Sequence, residues 1–256
     1  MDIVLVGAGN VATCMGGALK SAGHDIKCVY SRTERNAMAL ANKLDTCFVT
    51  DLEQLPEADA FIVMLRDDAL LSLAAKIVSS HPEKLFLHTS GSVPNSLWKS
   101  AGATRYGVLY PMQTFSKGKS VEWGDVPVFI EASSDECLQK VRNIAESLSD
   151  NCTVLDSEQR SRLHLAAVFA CNFSNRMYAI ADELLKECGI PFSVMLPLIA
   201  ETADKVSSMP PVSAQTGPAV RGDKRVMDVH RRLLTDKPEW RILYDLISKD
   251  IKKSCK

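Results

Sequence analysis

The chain has 256 residues, 46% of them hydrophobic and 24% charged, with 30 basic and 31 acidic side chains for a formal net charge of −1. This composition argues against a disordered, collagen-like or coiled-coil chain. The balanced charge lacks the basic excess with which a nucleic-acid binder neutralises phosphates. The length allows one large domain or two modest ones.

Residues 3–6, Ile-Val-Leu-Val, form a continuous apolar run, as expected of a strand covered on both faces of a parallel sheet. Gly7-Ala8-Gly9-Asn10-Val11-Ala12 follows at once, and Met15, Leu19 and Ala22 continue at helical spacing up to Gly23, a residue type common just past a helix end. A second strand is predicted over 26–30. The alternation goes on with a helix over 35–43, a short strand near Phe48, a strand over 60–65, a helix over 69–79 and a strand over 85–87. A further apolar stretch precedes Tyr110, and a strand over 126–131 leads to a helix over 136–148. Strands alternating with helices predict an α/β fold whose N-terminal part is a Rossmann-like, doubly wound parallel sheet.

After about Val154 the strand signal stops. Between Ser157 and Cys188 there is neither proline nor glycine, and Leu163, Ala166, Ala170, Phe173, Met177, Ile180 and Leu184 recur at threes and fours. This predicts one helix of roughly 48 Å. Helices are also predicted over 192–206, 227–234 and 240–252, with a proline-containing loop over 209–222. The chain is therefore divided into a domain of alternating strands and helices over 1–153 and an all-helical domain over 154–256. The eight cysteines contain no CxxC pair and are read as buried free thiols of a reducing compartment. With no apolar run of about 18 residues and no secretory pattern at the N-terminus, the expected location is cytoplasmic, without a membrane anchor.

A GxGxxA pattern alone is weak, but its place between a strand and a helix strengthens it. Gly7 permits the tight turn, Gly9 lets backbone approach a pyrophosphate, and Ala12 keeps the helix close to the sheet. Asn10 and Val11 open the helix, whose free N–H groups favour an anion. At the end of the second strand, where an NAD site would carry a carboxylate for the adenine ribose, the chain has Ser31, Arg32 and Thr33. Two hydroxyls and a guanidinium suit a 2′-phosphate, so the expected cofactor is NADP. No metal site is expected.

Ligands of open parallel sheets lie beyond the carboxyl ends of the strands. This selects Leu65 and Arg66 after the fourth strand, His88 and Ser90 after the fifth, and Tyr110 in Tyr-Pro-Met-Gln-Thr. On the long helix His164, Val168, Asn172 and Arg176 fall at steps of four on one side. His164 and Asn172, roughly 12 Å apart along the axis, can line one pocket without bonding each other. Asn172 sits among apolar neighbours, where a buried amide needs partners.

The glycine loop, Arg32, Tyr110-Pro111-Met112, His164 with Asn172, and the run from Gln215 through Arg221 to Asp223 together resemble a family of Rossmann-type NADP oxidoreductases with a helical C-terminal domain of unknown function. More distantly the layout is similar to pyrroline-carboxylate reductases, ketopantoate reductases, β-hydroxyacid dehydrogenases and deazaflavin-linked NADP reductases. The resemblance implies hydride transfer between the nicotinamide and a small C=O or C=N substrate, and a homodimer joined through the helical domain. Hydroxyacid-type relatives place a lysine four residues before an asparagine on the long helix; if Asn172 matches that asparagine, the lysine's place is taken by Val168, which cannot donate a proton. His164 is then the first choice for general acid, with Tyr110 and His88 in reserve. Arg221 is expected to anchor a substrate carboxylate, and His88 is a second substrate contact. The missing lysine leaves an alternative open: a non-enzymatic NADP(H) sensor or scaffold whose helical domain binds a partner protein.

Overall fold

The computed structural model describes residues 1–116 and 118–255. It divides into two compact units, Met1–Ser174 and Asn175–Lys256. The alternating pattern ends near 153, yet the first unit extends some twenty residues further, because the start of the long helix is tied to the sheet through Arg160.

In the first unit the strands are β1 (Asp2–Val6), β2 (Asp25–Tyr30), β3 (Cys47–Val49), β4 (Ala60–Val63), β5 (Leu85–His88), β6 (Arg105–Pro111), β7 (Val128–Ala132) and β8 (Cys152–Val154). They form one sheet in the order β3-β2-β1-β4-β5-β6-β7-β8. The chain first winds outward from β1 through β2 to β3, then crosses back to β4. The gap beyond the carboxyl ends of β1 and β4 is thus a topological switch point, where open α/β sheets bind ligands.

All strand pairs are parallel except β6 with β7, which is antiparallel. The expectation of a parallel sheet therefore needs correcting at this pair. The described residues between β6 and β7 contain one 3-10 turn, Trp123–Asp125, and no α-helix to carry the chain back to the starting end of the sheet. The helices α1 (Asn10–Ser21), α2 (Glu34–Leu44), α3 (Asp67–Val78), α4 (Ser96–Ser100) and α5 (Asp135–Glu146) cover the two faces. Side chains of β1 alternate between them. Ile3 and Leu5 join a cluster with Met15, Leu40 and Val141, while Val4 and Val6 join Phe61, Ile77 and Trp98 on the other side. All four β1 side chains are fully buried, each worth about 1.5–3 kcal/mol relative to exposure. This double burial is why the strand reads as a continuous apolar run rather than an alternating one.

Helix α6 (Ser157–Ala167) begins on a capping box: the Asp156 side chain accepts from Gln159 N, and Gln159 Oε1 accepts from Asp156 N. The chain then passes through a π-helical segment, Val168–Phe173, into α7 (Ser174–Lys186). The expected single helix is thus interrupted by a wider turn in its middle, a feature that often accompanies functional positions. The boundary between the two units falls directly after it.

The second unit consists of α7, a 3-10 turn (Phe192–Met195), α8 (Leu196–Ser208), α9 (Pro211–Ala214), α10 (Pro218–Arg221), α11 (Lys224–Leu233) and α12 (Pro238–Ser254). The expected proline loop over 209–222 is in fact two short helices, each started by a proline at its first position. Gly217 and Gly222 bracket α10 at φ values of 113° and 68°, and Asp223 caps α11 by accepting from Val226 N. His230 bonds Tyr244 at 3.0 Å and Arg231 bonds Asp245 at 2.7 Å, joining α11 to α12. A largely apolar cavity of about 280 Å³ lies among Ile180, Leu184, Trp240, Leu243 and Ile247.

All eight cysteines are free thiols, but only Cys28 and Cys137 are buried; Cys47, Cys171 and Cys188 are exposed. The reading of buried thiols holds for those two and needs correcting for the exposed three. Among the described residues no helix is long and apolar enough to cross a membrane.

Candidate active site

The glycine loop has the geometry that anion binding requires. Gly7 takes φ of 129°, and a Cβ there would fall 2.5 Å from the Met64 carbonyl oxygen, so only glycine fits this crossing of β1 past the end of β4. At Gly9 the opposite holds: no heavy atom lies within 4 Å of where a Cβ would stand. Gly9 is the N-cap of α1 and makes no side-chain cap bond, so it leaves the first-turn N–H groups without a capping acceptor. Ala12 is fully buried against the sheet. A diphosphate fits here, since the donors, the dipole and the room coincide. Asn10 points elsewhere, its Nδ2 donating to Phe115 O at 3.0 Å and tying the loop after β6 to the start of α1.

At the end of β2, Ser31 is half-buried and its Oγ accepts from Thr33 N at 3.3 Å. Arg32 and Thr33 are exposed, and Arg32 makes no ion pair among the described residues. A guanidinium held near the strand end without a carboxylate is available to a phosphate. Leu65 packs at the end of β4, and Arg66 is the exposed N-cap of α3. The Ser90 hydroxyl is committed to its own loop, accepting from Ser92 N and Val93 N.

A cavity of about 730 Å³ begins at Val11 on the glycine-loop helix and is lined by Thr89, Tyr110, His164 and Asn172, with Met112 and Phe115 closing one side. Within it Tyr110 Oη stands 3.0 Å from His164 Nδ1, with the two rings edge-on at 76°. Tyr110, next to last in β6, has 8% of its surface exposed, and burial raises its phenol pKa above the usual value, with the positive charge of Arg160 opposing that shift. The phenol is therefore a hydroxyl at neutral pH. His164, half-buried on α6, presents an imidazole able to accept or supply the proton of that bond. Residues 54 positions apart in sequence thus make one hydrogen-bonded pair.

Asn172 reaches this cavity from the π-helical segment, but its side chain is exposed, so the expectation that its amide must find partners to offset burial is corrected. Val168 does not line the cavity, and Arg176 bonds Glu183 within the second unit. His88 is also corrected as a substrate contact. It is fully buried, its Nδ1 accepts from Ser90 N, its ring lies 6.0 Å from Trp98, and burial pushes its pKa down to about 3. It has no surface with which to touch a ligand, because β5 ends under the loop that Ser90 folds back. Arg221 belongs to the second unit, exposed at the end of α10, and is not paired to Asp223.

Sequence reasoning missed Arg160, which is 1% exposed. It forms an ion pair with Glu131 on β7, and its Nη2 donates to Val93 O at 2.6 Å. An arginine one turn before His164 on a polar helix start reads as a solvated residue, and no local pattern marks it otherwise. Gly91 was also missed as a position of close approach to His164; the Ser90-Gly91 turn was its only signal.

Residues 2–90 match the family model described as NADP oxidoreductase coenzyme F420-dependent, and residues 126–251 match Domain of unknown function (DUF2520). Among solved structures, the chain is 49% identical to a candidate NADP oxidoreductase of Bacteroides fragilis, with a TM-score of 0.94 over 98% of both chains. It is similar in fold to an imine reductase of Myxococcus stipitatus in complex with NADP+, at 17% identity and a TM-score of 0.71, covering 99% of this chain and 94% of that one. A 1-pyrroline-5-carboxylate reductase of Streptococcus pyogenes matches at 14% identity and a TM-score of 0.62, covering 99% and 98%. No curated protein matches. The chain belongs to the family of the Bacteroides fragilis protein, and within it a segment matching the NADP oxidoreductase model is followed by one matching DUF2520.

Proposed function

We propose that this protein is an NADP-dependent oxidoreductase that moves a hydride between the nicotinamide and the carbon of a small C=O or C=N substrate, with Tyr110 and His164 handling the proton. The observation that carries this reading is the Tyr110–His164 bond inside a cavity that opens from the glycine loop. When bound, the nicotinamide supplies or accepts the hydride. The first turn of α1 holds the pyrophosphate, and Ser31, Arg32 and Thr33 hold the 2′-phosphate, which makes NADP the preferred dinucleotide. Leu65, Arg66 and Ser90 stand at the strand ends beside it.

With a bound dinucleotide supplying the hydride, the substrate oxygen or nitrogen would take a proton from the Tyr110 hydroxyl, and His164 would return one through Nδ1 as its Nε2 takes one from solvent. In the opposite direction the pair receives the proton. This removes the need for a lysine at position 168, since the acid is assembled from β6 and α6 rather than along one helix. Asn172 offers an amide at the cavity wall to orient the polar end of the substrate. The test is NADPH oxidation against a panel of small ketones, aldehydes and cyclic imines; tight NADPH binding with no turnover of any of them would favour the sensor reading instead.

We also assign to the second unit the contact between two copies of the chain. Its helices expose Leu198, Leu233, Ile242 and Leu246, each more than 60% accessible, a density of large apolar side chains beyond what isolated surface residues explain. Light scattering on the purified protein should report a dimer that Leu246→Glu dissociates; a monomer at all concentrations would refute the assignment.

A further inference from the structure

The His164 ring is seated as well as bonded. Gly91, buried in the loop after β5, approaches it so closely that a Cβ would fall 2.6 Å from both Cγ and Nδ1 and 2.8 Å from Cβ of His164. Those atoms include the root of the side chain, so no small torsion relieves the clash. The imidazole is therefore packed against Gly91 and bonded to the Tyr110 hydroxyl.

This loop is held by groups of α6 itself. Arg160, one helical turn before His164, donates from Nη2 to Val93 O, two residues after Gly91, while its Nη1 pairs with Glu131. Ser157 Oγ donates to the Glu131 carboxylate at 2.8 Å and accepts from Asn95 N at 3.0 Å. From within the loop, Ser90 Oγ accepts from Ser92 N and Val93 N. A planar fork can satisfy a carboxylate and a carbonyl at once, which a lysine ammonium on a flexible stem cannot do in the same geometry.

We propose that Gly91 and Arg160 are positioning residues for the Tyr110–His164 pair: Arg160 clasps the 91–95 loop to α6, and Gly91 forms the seat that presses the imidazole toward the Tyr110 hydroxyl. The proposal rests on the proton role assigned to this pair, but its geometry can be tested without any turnover. Gly91 does not adopt a left-handed φ, so Gly91→Ala strains the ring contact rather than the loop backbone.

The experiment is nitrogen-15 NMR of the His164 imidazole in the full-length protein without cofactor. Tyr110→Phe should change the ring nitrogen chemical shifts of His164 and the balance of its ring tautomers in the wild-type background. In Gly91→Ala, and in Arg160→Lys, the same Tyr110→Phe substitution should change neither, because the bond is already lost. Gly91→Ala that keeps the full Tyr110 effect overturns the seat, and Arg160→Lys that keeps it overturns the clasp. If Gly91→Ala fails to fold, the seat is read from Ser90→Ala, which loosens the loop without adding bulk at His164; an undiminished Tyr110 effect in Ser90→Ala overturns it. A coupled pair in a protein that reduces nothing would sink the proposed function and leave the positioning role standing.

Discussion

Gly7 and Met64 approach so closely that a Cβ on Gly7 would stand 2.5 Å from the Met64 carbonyl oxygen, whereas two residues later a Cβ on Gly9 would meet nothing within 4 Å. One glycine is demanded by packing; the other leaves open space at the helix start. Gly7→Ala should therefore destabilise the protein by about 1–3 kcal/mol through strain at a positive φ and a backbone clash. Gly9→Ala, at an N-cap with room for a Cβ, should cost the fold much less than Gly7→Ala, yet weaken dinucleotide binding. Thermal melts paired with fluorescence titrations check both; equal destabilisation by the two substitutions would contradict the assignment.

Arg32 is exposed at the end of β2 and has no ion-pair partner among the described residues. Arg32→Ala should raise the NADPH dissociation constant about tenfold or more, the scale of one charge-assisted phosphate contact, while changing that for NADH by less than about twofold. Calorimetric titration with both dinucleotides measures the ratio. A parallel loss for the two would remove the preference for NADP.

Tyr110 and His164 share one hydrogen bond, so removing either should remove most of what the pair supplies. Tyr110→Phe and His164→Ala should each lower kcat about 10²–10⁴-fold, the usual worth of a positioned acid or base, with NADPH affinity retained. The double substitution should cost little more than the worse single one. Steady-state kinetics on the best substrate of the panel checks this; additive losses would mean the two side chains act separately.

Burial holds His88 neutral, with a pKa of about 3 against 6.5 for an unperturbed imidazole. Below pH 6.5 the unfolded chain takes up a proton that the folded chain refuses, so stability falls as pH drops from 6.5 toward 3. The slope from this one group is at most about 1.4 kcal/mol per pH unit. His88→Asn keeps an acceptor for Ser90 N and removes the titration, so its denaturation midpoint should fall less steeply over that range. Parallel curves for the two proteins would show that His88 is not the cause.

Much of the first unit was legible locally. Ile3–Val6, the glycine loop and Gly23 mark a strand, a phosphate turn and a helix end within about twenty residues, because parallel strands buried on both faces and helix termini leave short-range signatures. Harder to see were the antiparallel entry of β7, α4, and the π-helical turn at Val168–Phe173. None of these has a periodicity of its own; each depends on where the chain must arrive in space. Asn172 shows the same limit, since its apolar neighbours in sequence suggested burial while the wider turn leaves it exposed at the cavity wall.

By itself the sequence determined the strand–glycine turn–helix start, the change from alternating strands and helices to helices alone, the absence of a carboxylate just after β2 and a short set of candidate polar residues. Only the tertiary structure showed which of that set stand together. It buried His88 beneath its own loop and brought Tyr110 from the end of β6 to His164 on α6. It also placed Arg160 and Gly91, ordinary residues in sequence, around that pair. The physical reason is range: strands, turns and caps arise from neighbours a few residues apart, whereas a shared proton needs two side chains at hydrogen-bond distance, and only the packing of α6 onto the sheet sets that distance.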